Sequence, residues 1–256
     1  MKKTNKLISL EDAVKLINKS SRVALGGFGI YQRPMAFVRE MIKQKIKNLT
    51  IVGVVNSIES DILIGSNCIS CIETSYVGFE KYGIAPNFRK YREKGKLKII
   101  NYPELLSIDR FRASQENLDF CPASGLGGTD IVKLNKNIKS FKSPISKKLL
   151  HALPAAKPDT VVIHALAGDN YGNIIVPSYK NMAQSLDIIL SRSCDNVIIS
   201  LEKIVSDNFM KKHPHLVEIP SHRVKAVCLA PFGSHPTSML GRYSDDSKHW
   251  KEYIKA

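Results

Sequence analysis

Short apolar segments alternate with amphipathic segments along most of this 256-residue sequence, and that alternation restricts the fold more than any other feature. Apolar segments with strand character occupy residues 22–28, 49–55, 71–78, 96–102, 159–167, 196–205 and 223–230. Segments predicted to be helical occupy residues 10–18, 34–46, 58–67, 85–95, 104–116, 143–154, 180–190 and the tail from residue 244. Strands that alternate with helices favour a parallel sheet with both faces covered. The sequence therefore predicts an α/β fold, an open, mainly parallel sheet with helices on both faces, in a single domain over residues 1–256.

The loops that follow the strands are the predicted location of a functional site. In an open α/β sheet, ligands bind at the carboxyl ends of the strands. Here those ends lead into residues 26–33, 53–60, 77–83, 101–104, 121–130, 167–177 and 231–243, which contain most of the glycines. Within them, Asp169 and Asn173 of the segment GDNYGN are predicted to form a turn.

Composition and charge argue against several classes of protein. The net charge of +15 comes from lysines spread along the chain, without a zinc finger or a long basic helix, so nucleic-acid binding is not expected. No run of eighteen apolar residues occurs, and Glu11, Asp12 and Lys15 interrupt any signal-peptide core. We therefore expect a cytoplasmic protein without a membrane span. The CxxC pair of Cys68 and Cys71 lacks the second ligand pair of a metal site, so no metal is expected.

The segment GGFG at residues 26–29 follows the first predicted strand and raises the question of nucleotide binding. A dinucleotide-binding fingerprint needs a third glycine where this chain has Gln32, and an acidic residue after the second strand, where it has Asn56 and Ser57. A phosphate-binding P-loop needs the sequence GK[ST] after its glycines, which is absent. Nucleotide binding by either device is not supported, and taken alone the segment predicts a tight glycine-rich turn.

Five motifs, in order along the chain, resemble the A (alpha) subunit of the class I coenzyme A transferases, most closely the glutaconate CoA-transferase type. They are VALGGFGIYQRPMAFVRE at 23–40, LIGSNCISCIETSYVGFEKYGIAPNFRKY at 63–91, FCPASGLGGTDI at 120–131, ALAGDNYGNI at 165–174 and APFGSHPTSMLGRYSDD at 230–246. The resemblance extends from about residue 10 to the end of the sequence. Gln32 departs from the family pattern, which commonly has glycine two residues before the proline.

The resemblance implies a CoA-transferase-like fold and a heteromeric enzyme. Such enzymes move coenzyme A from an acyl-CoA to a free carboxylic acid, through a glutamyl-CoA thioester formed on a glutamate of the partner B (beta) subunit. Coenzyme A is then a substrate rather than a tightly bound cofactor, and the assembly is a heterodimer or a heterotetramer. The sequence SQEN at 114–117 is similar to the B-subunit motif, but its polar surroundings predict that Glu116 is a surface residue.

The same resemblance suggests roles for residues of the predicted loops. The amides of Gly26, Gly27, Phe28 and Gly29 are expected to stabilise an oxyanion or to contact the substrate, because glycine allows close approach. Arg33 is expected to bind a carboxylate or a CoA phosphate. The other expected contacts are Gln32, which would reshape the pocket, Asn56, Ser57, Gly78, Phe79 and Glu80, which would select the substrate, Glu104, as a base or a helix N-terminal acid, and His235, near the site or a subunit contact.

Two alternatives stay open. The first keeps the fold and the partner but replaces transfer with hydrolysis, ring cleavage or decarboxylation of a CoA thioester, and a B subunit without the nucleophilic glutamate would favour it. The second is a non-catalytic homo-oligomer that binds an anionic ligand or nucleic acid through its basic surface. Salt-sensitive binding by the chain alone would favour this second alternative.

Overall fold

The computed structural model describes residues 4–126, 128–177 and 182–255. The strands in these ranges are β1 (Arg22–Leu25), β2 (Leu49–Val52), β3 (Val55–Asn56), β4 (Ile69–Thr74), β5 (Tyr76–Val77), β6 (Lys98–Asn101), β7 (Phe120–Ala123), β8 (Lys139–Lys142), β9 (Leu149–Pro154), β10 (Thr160–Ala165), β11 (Ala167–Gly168), β12 (Ile174–Ile175), β13 (Val197–Leu201), β14 (Val217–Ile219) and β15 (Val224–Leu229). The helices are α1 (Leu10–Val14), α2 (Met35–Lys43), α3 (Ile58–Gly65), α4 (Pro86–Glu93), α5 (Glu104–Gln115), α6 (Ile131–Leu134), α7 (Met182–Leu190), α8 (Asp207–Lys212) and α9 (Ser247–Lys255). Single turns of 3-10 helix occur at Glu80–Tyr82, Pro214–Leu216 and Ser221–Arg223.

Seven parallel strands form the main sheet, in the order β15-β13-β10-β1-β2-β4-β6. Every residue of β10 and β13 is buried, and both strands are mainly apolar, as strands covered on both faces require. The predicted α/β class and the mainly parallel sheet are therefore confirmed.

Helices cover both faces of this sheet. Alternate residues of β1 enter two separate cores, Val23 and Leu25 the first and Ala24 the second. Apolar side chains of α1, α2, α3 and α9 fill the first core, which includes Trp250. Side chains of α5 and α7 fill the second core, which includes Phe111. The two-sided covering leaves the carboxyl ends of the strands as the edge where loops from different strands meet.

Residues 143–154, predicted to be a short helix, contain a strand, so that prediction is wrong. They include β9, which pairs antiparallel with β7 and β8 in a separate three-stranded sheet. His151 and Leu153 are buried while Leu150 and Ala152 are half-buried, which is a period of two. The segment is too short for its apolar residues to distinguish the two periods, and pairing with the distant strand β7 decides its structure.

Two further observations bear on the classes of protein considered from composition. No described helix is both long enough and apolar enough to cross a bilayer. The five cysteines are free thiols, and burial raises the pKa of both Cys68 and Cys71. A raised pKa keeps a thiol protonated and less reactive, and Cys68 packs in the first core.

Candidate active site

A cleft of about 710 Å³ opens at the carboxyl ends of β1, β2, β4 and β6. Its lining residues are Phe28, Val55, Ser75, Tyr76, Glu80, Asn101, Tyr102, Pro103, Glu104 and Ile131. Three residues predicted for the site, Phe28, Glu80 and Glu104, therefore come together there from three separate loops. The cleft lies at the sheet edge where ligands bind in open α/β folds.

Two carboxylates face this cleft. Glu104 is the first residue of α5, directly after Pro103, and its side chain is exposed. Glu80 lies in a 3-10 turn with a φ of 50°, and its Oε1 packs against Gly29, where an added Cβ would lie 2.6 Å away. Among the described residues, neither carboxylate has a hydrogen-bond or ion-pair partner in this chain. An acid at a helix N-terminus stabilises the helix, so Glu104 has a structural role besides any chemical one.

Tyr102 of the cleft wall is supported from behind by charged residues. The Arg110 guanidinium lies 3.6 Å from the centre of the Tyr102 ring. Glu73 binds Arg110 at 2.5 Å through one carboxylate oxygen and Arg22 at 2.7 Å through the other. Burial would raise the pKa of Glu73, but the two guanidinium groups outweigh it and lower that pKa. This ion-pair triad joins β1, β4 and α5 beneath the cleft.

The four amides of the GGFG loop already donate to acceptors within the chain. The pairs are Gly26 to the Val162 carbonyl at 2.7 Å, Gly27 to the Asp187 carboxylate at 2.7 Å, Phe28 to the Tyr31 carbonyl at 3.0 Å and Gly29 to the Val55 carbonyl at 3.3 Å. An oxyanion would have to replace one of these acceptors to gain a donor. In this arrangement the loop presents Phe28 to the cleft, and the oxyanion role of its amides stays a prediction.

Gly27→Ala is expected to destabilise the chain by about 2–3 kcal/mol. Gly27 has a φ of +82°, and an added Cβ would lie 2.7 Å from the carbonyl carbon of Gln32. Gly241→Ala is the matched control, because Gly241 has a φ of +78° but nothing within 4 Å of the added Cβ. The difference between the two variants in urea unfolding measures the steric restriction at the loop. Equal losses would contradict that restriction.

Arg33 does not line the cleft, and its role in binding a carboxylate or a phosphate stays a prediction. Its side chain is buried, and its guanidinium donates to the carbonyls of Leu25, Gly26, Gly29 and Val55. The Arg33 Nε also lies 3.3 Å from the buried carboxylate of Glu59. Burial lowers the pKa of Arg33, while the carboxylates around it act in the opposite direction. The guanidinium therefore joins the loop after β1 to the loop after β2.

Asn56 and Ser57 are also buried and lie outside the cleft lining, and their contact with substrate stays a prediction. The Asn56 amide nitrogen donates to Glu59 and Ser60, and its oxygen accepts the Thr74 hydroxyl at 2.7 Å. The Ser57 N–H donates to the Glu59 carboxylate at 2.9 Å. Both residues therefore order the start of α3 instead of lining the cleft.

Phe79 and Gly78 have packing roles, and their predicted part in substrate selection stays a prediction. Phe79 is fully buried, with its ring centre 5.0 Å from that of Trp250 and 5.8 Å from that of Tyr253. Such edge-to-face contacts are typical of an aromatic core. Gly78 lies so close to the Tyr76 ring that a Cβ would meet its hydroxyl. Neither Gly78 nor Phe79 lines the cleft.

Gln32 and His235 also lie outside the cleft lining. Gln32 is fully buried with a φ of 54°, and both polar atoms of its side chain lack a hydrogen-bond partner among the described residues. Because the Gln32 side chain does not line the cleft, any effect of this residue on the shape of the pocket would act through neighbouring residues. The His235 Nε2 lies 2.8 Å from Asp246, which joins the loop after β15 to the start of α9. Glu116 is exposed at the end of α5, as predicted.

A buried network at the ends of β10 and β13 was not predicted from the sequence. His164 Nδ1 lies 2.8 Å from the Ser200 hydroxyl, and His164 Nε2 lies 2.8 Å from the Glu202 carboxylate. The Tyr243 hydroxyl and the Phe232 N–H also donate to Glu202, at 2.6 and 3.0 Å. Burial would raise the pKa of Glu202, but these donors lower it to about 2. His164, Ser200 and Glu202 are buried, and the Tyr243 hydroxyl and the Phe232 N–H join them from residues 230–243, so the network connects that segment to the sheet.

Asp187, beneath the GGFG loop, was also missed. His164 and Asp187 share one sequence feature that could have predicted their burial. Each is a polar residue within an apolar segment, His164 in VVIHA and Asp187 in SLDIIL. Such residues are buried with hydrogen-bond partners more often than they are exposed. The three-residue groups of His, Cys, Asp and Glu that hold metals do not occur among the described residues.

The chain belongs to the coenzyme A transferase family, whose model matches residues 7–230. It is 33% identical to an uncharacterized protein of Archaeoglobus fulgidus, over 98% of this chain but only 56% of that protein. It is 29% identical to the A subunit of the 3-oxoadipate CoA-transferase of Pseudomonas knackmussii, over 96% of this chain and 86% of that protein. It is 28% identical to the A subunit of the glutaconate CoA-transferase of Acidaminococcus fermentans, over 98% of this chain and 83% of that protein.

Solved structures support the same assignment. The crystal structure of glutaconate coenzyme A-transferase from Acidaminococcus fermentans matches with a TM-score of 0.89 at 26% identity, over 98% of this chain and 83% of that chain. The crystal structure of the decarboxylase AibA/AibB matches with a TM-score of 0.88 at 25% identity, over 99% of this chain and 94% of that chain. The resemblance to the glutaconate type is thus confirmed, and one fold carries more than one chemistry.

Proposed function

We propose that this chain is the alpha-type half of a heteromeric coenzyme A transferase that moves coenzyme A from an acyl-CoA to a free carboxylic acid. The observation that carries the proposal is the cleft at the carboxyl ends of β1, β2, β4 and β6 in a chain of the coenzyme A transferase family. Two relatives are named as the A subunits of CoA-transferases, and the alignments span more than four-fifths of each. Those names also support a partner B subunit.

The nucleophile in this proposal is a glutamate of the B subunit. Its carboxylate attacks the thioester carbonyl, which breaks the carbon–sulfur bond, releases the CoA thiolate and forms an acyl-glutamyl anhydride. The thiolate then attacks the glutamyl carbonyl, which releases the acyl group as a carboxylate and leaves a glutamyl-CoA thioester. The same two steps in reverse, with a different carboxylate, transfer the coenzyme A. This chain contributes one wall of the cleft, with Phe28 and Tyr102 as its apolar surface.

The charge of the cleft supports one class of acyl group over another. Glu80 and Glu104 both line it, and its described lining includes no lysine, arginine or histidine. A second carboxylate on the acyl chain would meet these two carboxylates at short distances, which is unfavourable, whereas the Arg33 guanidinium close to Glu80 is buried and already paired with Glu59. We therefore infer that the acyl group has an uncharged end, as in a monocarboxylic acid.

The assembled enzyme tests this function. The chain is co-expressed with the product of the neighbouring gene, and the complex is incubated with pentanoyl-CoA, with glutaryl-CoA as the five-carbon control that carries a second carboxylate. Acetate serves as acceptor, and borohydride is added to reduce a glutamyl-CoA thioester. We expect acceptor-dependent transfer that is faster with pentanoyl-CoA, and a borohydride adduct on a partner glutamate. A homo-oligomer with salt-sensitive nucleic-acid binding and no transfer would contradict the proposal.

Hydrolysis or decarboxylation of a CoA thioester is a second candidate, favoured by one observation. Glu104 presents a carboxylate to the cleft without a partner from the described residues of this chain, which is the placement that a general base needs. The fold is also shared with the AibA/AibB decarboxylase. A base in this chain would make the chemistry depend on Glu104 rather than on a partner glutamate.

Glu104→Gln is expected to lower turnover of the complex by less than about tenfold, because a transferase takes its nucleophile from the partner. A general base typically contributes about 10²- to 10⁴-fold, so a loss of that size would favour the second candidate. Glu116→Gln, at the other end of the same helix, exposed and outside the cleft lining, controls for the substitution itself. The measurement is steady-state turnover together with the yield of borohydride adduct.

A further inference from the structure

A buried acid beneath the GGFG loop has no part in the chemistry proposed above. Asp187 lies on α7, which packs against α5, and its side chain is fully buried. Its Oδ1 accepts the Gly27 N–H at 2.7 Å. The other three amides of the loop donate to backbone carbonyls, so Asp187 is the side chain that binds this loop through its amides.

The loop is shaped to admit this carboxylate. A Cβ added to Gly26 would lie 2.5 Å from the Asp187 Oδ1, so a side chain at that position would displace the acid. Gly27 has a φ of +82°, a conformation that other residues rarely adopt. Phe28, which comes next, is half-buried and lines the cleft. The contact between Asp187 and Gly27 is therefore one residue away from the cleft wall.

The second oxygen of Asp187, Oδ2, is buried without a hydrogen-bond partner among the described residues. In the ionised acid this oxygen lacks a donor, and in the protonated acid its O–H lacks an acceptor. Burial raises the pKa of Asp187 to about 7, against the opposing effects of the Gly27 N–H and of Arg33. Each protonation state leaves a polar atom of Asp187 unsatisfied, and with a pKa of about 7 both states are populated near neutral pH.

Arg33 is the charged group that faces Asp187. Arg33 is shared with two other acids, Glu59, whose carboxylate lies 3.3 Å from its Nε, and Glu80 at the cleft. The other charged side chains of the neighbouring elements do not contact Asp187, and Glu104 of α5 lines the cleft. On α5, Asp109 pairs with Arg112 and Arg110 pairs with Glu73, while His164 of β10 binds Glu202.

We propose that Asp187 is a positioning residue for the cleft. Its ionised carboxylate holds the Gly27 amide and through it keeps Phe28 in the cleft wall, and protonation weakens that bond and lets the loop shift. The loop geometry itself is independent of the reaction, whereas the kinetic consequence rests on the proposed function. This role of Asp187 predicts that the cleft is fully assembled only at pH values above the pKa of Asp187.

The direct test is a pH titration of the full chain labelled with ¹⁵N-glycine and ¹⁵N-phenylalanine, followed by NMR. We expect the amides of Gly27, Phe28 and Gly29 to shift together, with one midpoint near the Asp187 pKa of about 7. In Asp187→Asn, which keeps an acceptor oxygen but cannot ionise, this shared titration disappears. Absence of the titration in the wild type, its persistence in Asp187→Asn, or a shift confined to Gly27 would each overturn the proposal.

Asp61→Asn is the matched control for loss of a buried acid. Asp61 is also fully buried on a helix and accepts a backbone N–H, that of Phe88 at 2.7 Å, but neither residue lines the cleft. The titration of the loop amides is expected to remain in this variant. In the assembled enzyme, turnover of wild type and Asp61→Asn is expected to fall about tenfold one pH unit below the Asp187 midpoint, and turnover of Asp187→Asn to stay flat there. An unmoved profile in Asp187→Asn overturns the link to the cleft, whereas a titrating loop in a complex without transferase activity contradicts only the proposed function.

Discussion

Arg33→Ala is expected to lower the free energy of unfolding by about 3–5 kcal/mol, although Arg33 does not line the cleft. The substitution leaves the Glu59 carboxylate buried without its cation, and it removes the donors to four backbone carbonyls. Unpaired charges and carbonyls in the interior cost far more than the same groups in water. Urea unfolding at neutral pH measures the loss.

Arg112→Ala is the control for Arg33→Ala, because Arg112 forms an exposed pair with Asp109 on α5. Exposed pairs contribute about 0–1 kcal/mol, so this variant is expected to unfold close to the wild type. The double variant Arg33→Met with Glu59→Gln removes both charges and is expected to be more stable than Arg33→Ala. A loss below about 1 kcal/mol in Arg33→Ala would contradict the structural role assigned to this residue.

Glu202→Ala is expected to cost about 3–5 kcal/mol, because it leaves His164, Tyr243 and the Phe232 N–H without their common acceptor. The Glu202→Ala variant should also show freer motion of residues 230–243, since Glu202 accepts the Phe232 N–H and the Tyr243 hydroxyl. Asp119→Ala is the control, because it removes the acid of an exposed pair with Lys157. Its loss is expected to stay within about 1 kcal/mol.

The same network predicts how stability depends on pH. The folded chain lowers the pKa of Glu202 from 4.5 to about 2, so the ionised acid stabilises the fold above the unfolded value. That contribution, about 3 kcal/mol, is expected to decline as the pH falls from about 4.5 through about 2. In Glu202→Gln this part of the acid dependence should be absent. An unchanged acid limb in urea unfolding between pH 5 and about 3 would contradict the lowered pKa of Glu202.

Much of the fold could be predicted from local sequence. The apolar runs that became β10 and β13, and the helical spacing of 104–116, depend on residues close together in the chain, so their patterns survive in the sequence. The failure at 143–154 has a different cause, because β9 is fixed by pairing with β7, which local spacing does not report. The site was predictable only in part, since Phe28, Glu80 and Glu104 reach the cleft whereas Arg33, Asn56 and Phe79 turn inward.

Local patterns along the chain were sufficient for the strand–helix order, the glycine turn after β1, the loops at the carboxyl ends of the strands and the family motifs, because each depends on residues near one another in sequence. The direction of each loop side chain depended on contacts between distant segments. Arg33 is buried because Glu59 and the carbonyl of Val55 lie where its guanidinium reaches. Phe79 is buried because Trp250 closes over it from the last helix. Contacts between segments far apart in the chain leave no periodic pattern in the sequence. Tertiary packing alone therefore decided which of the predicted residues face the cleft.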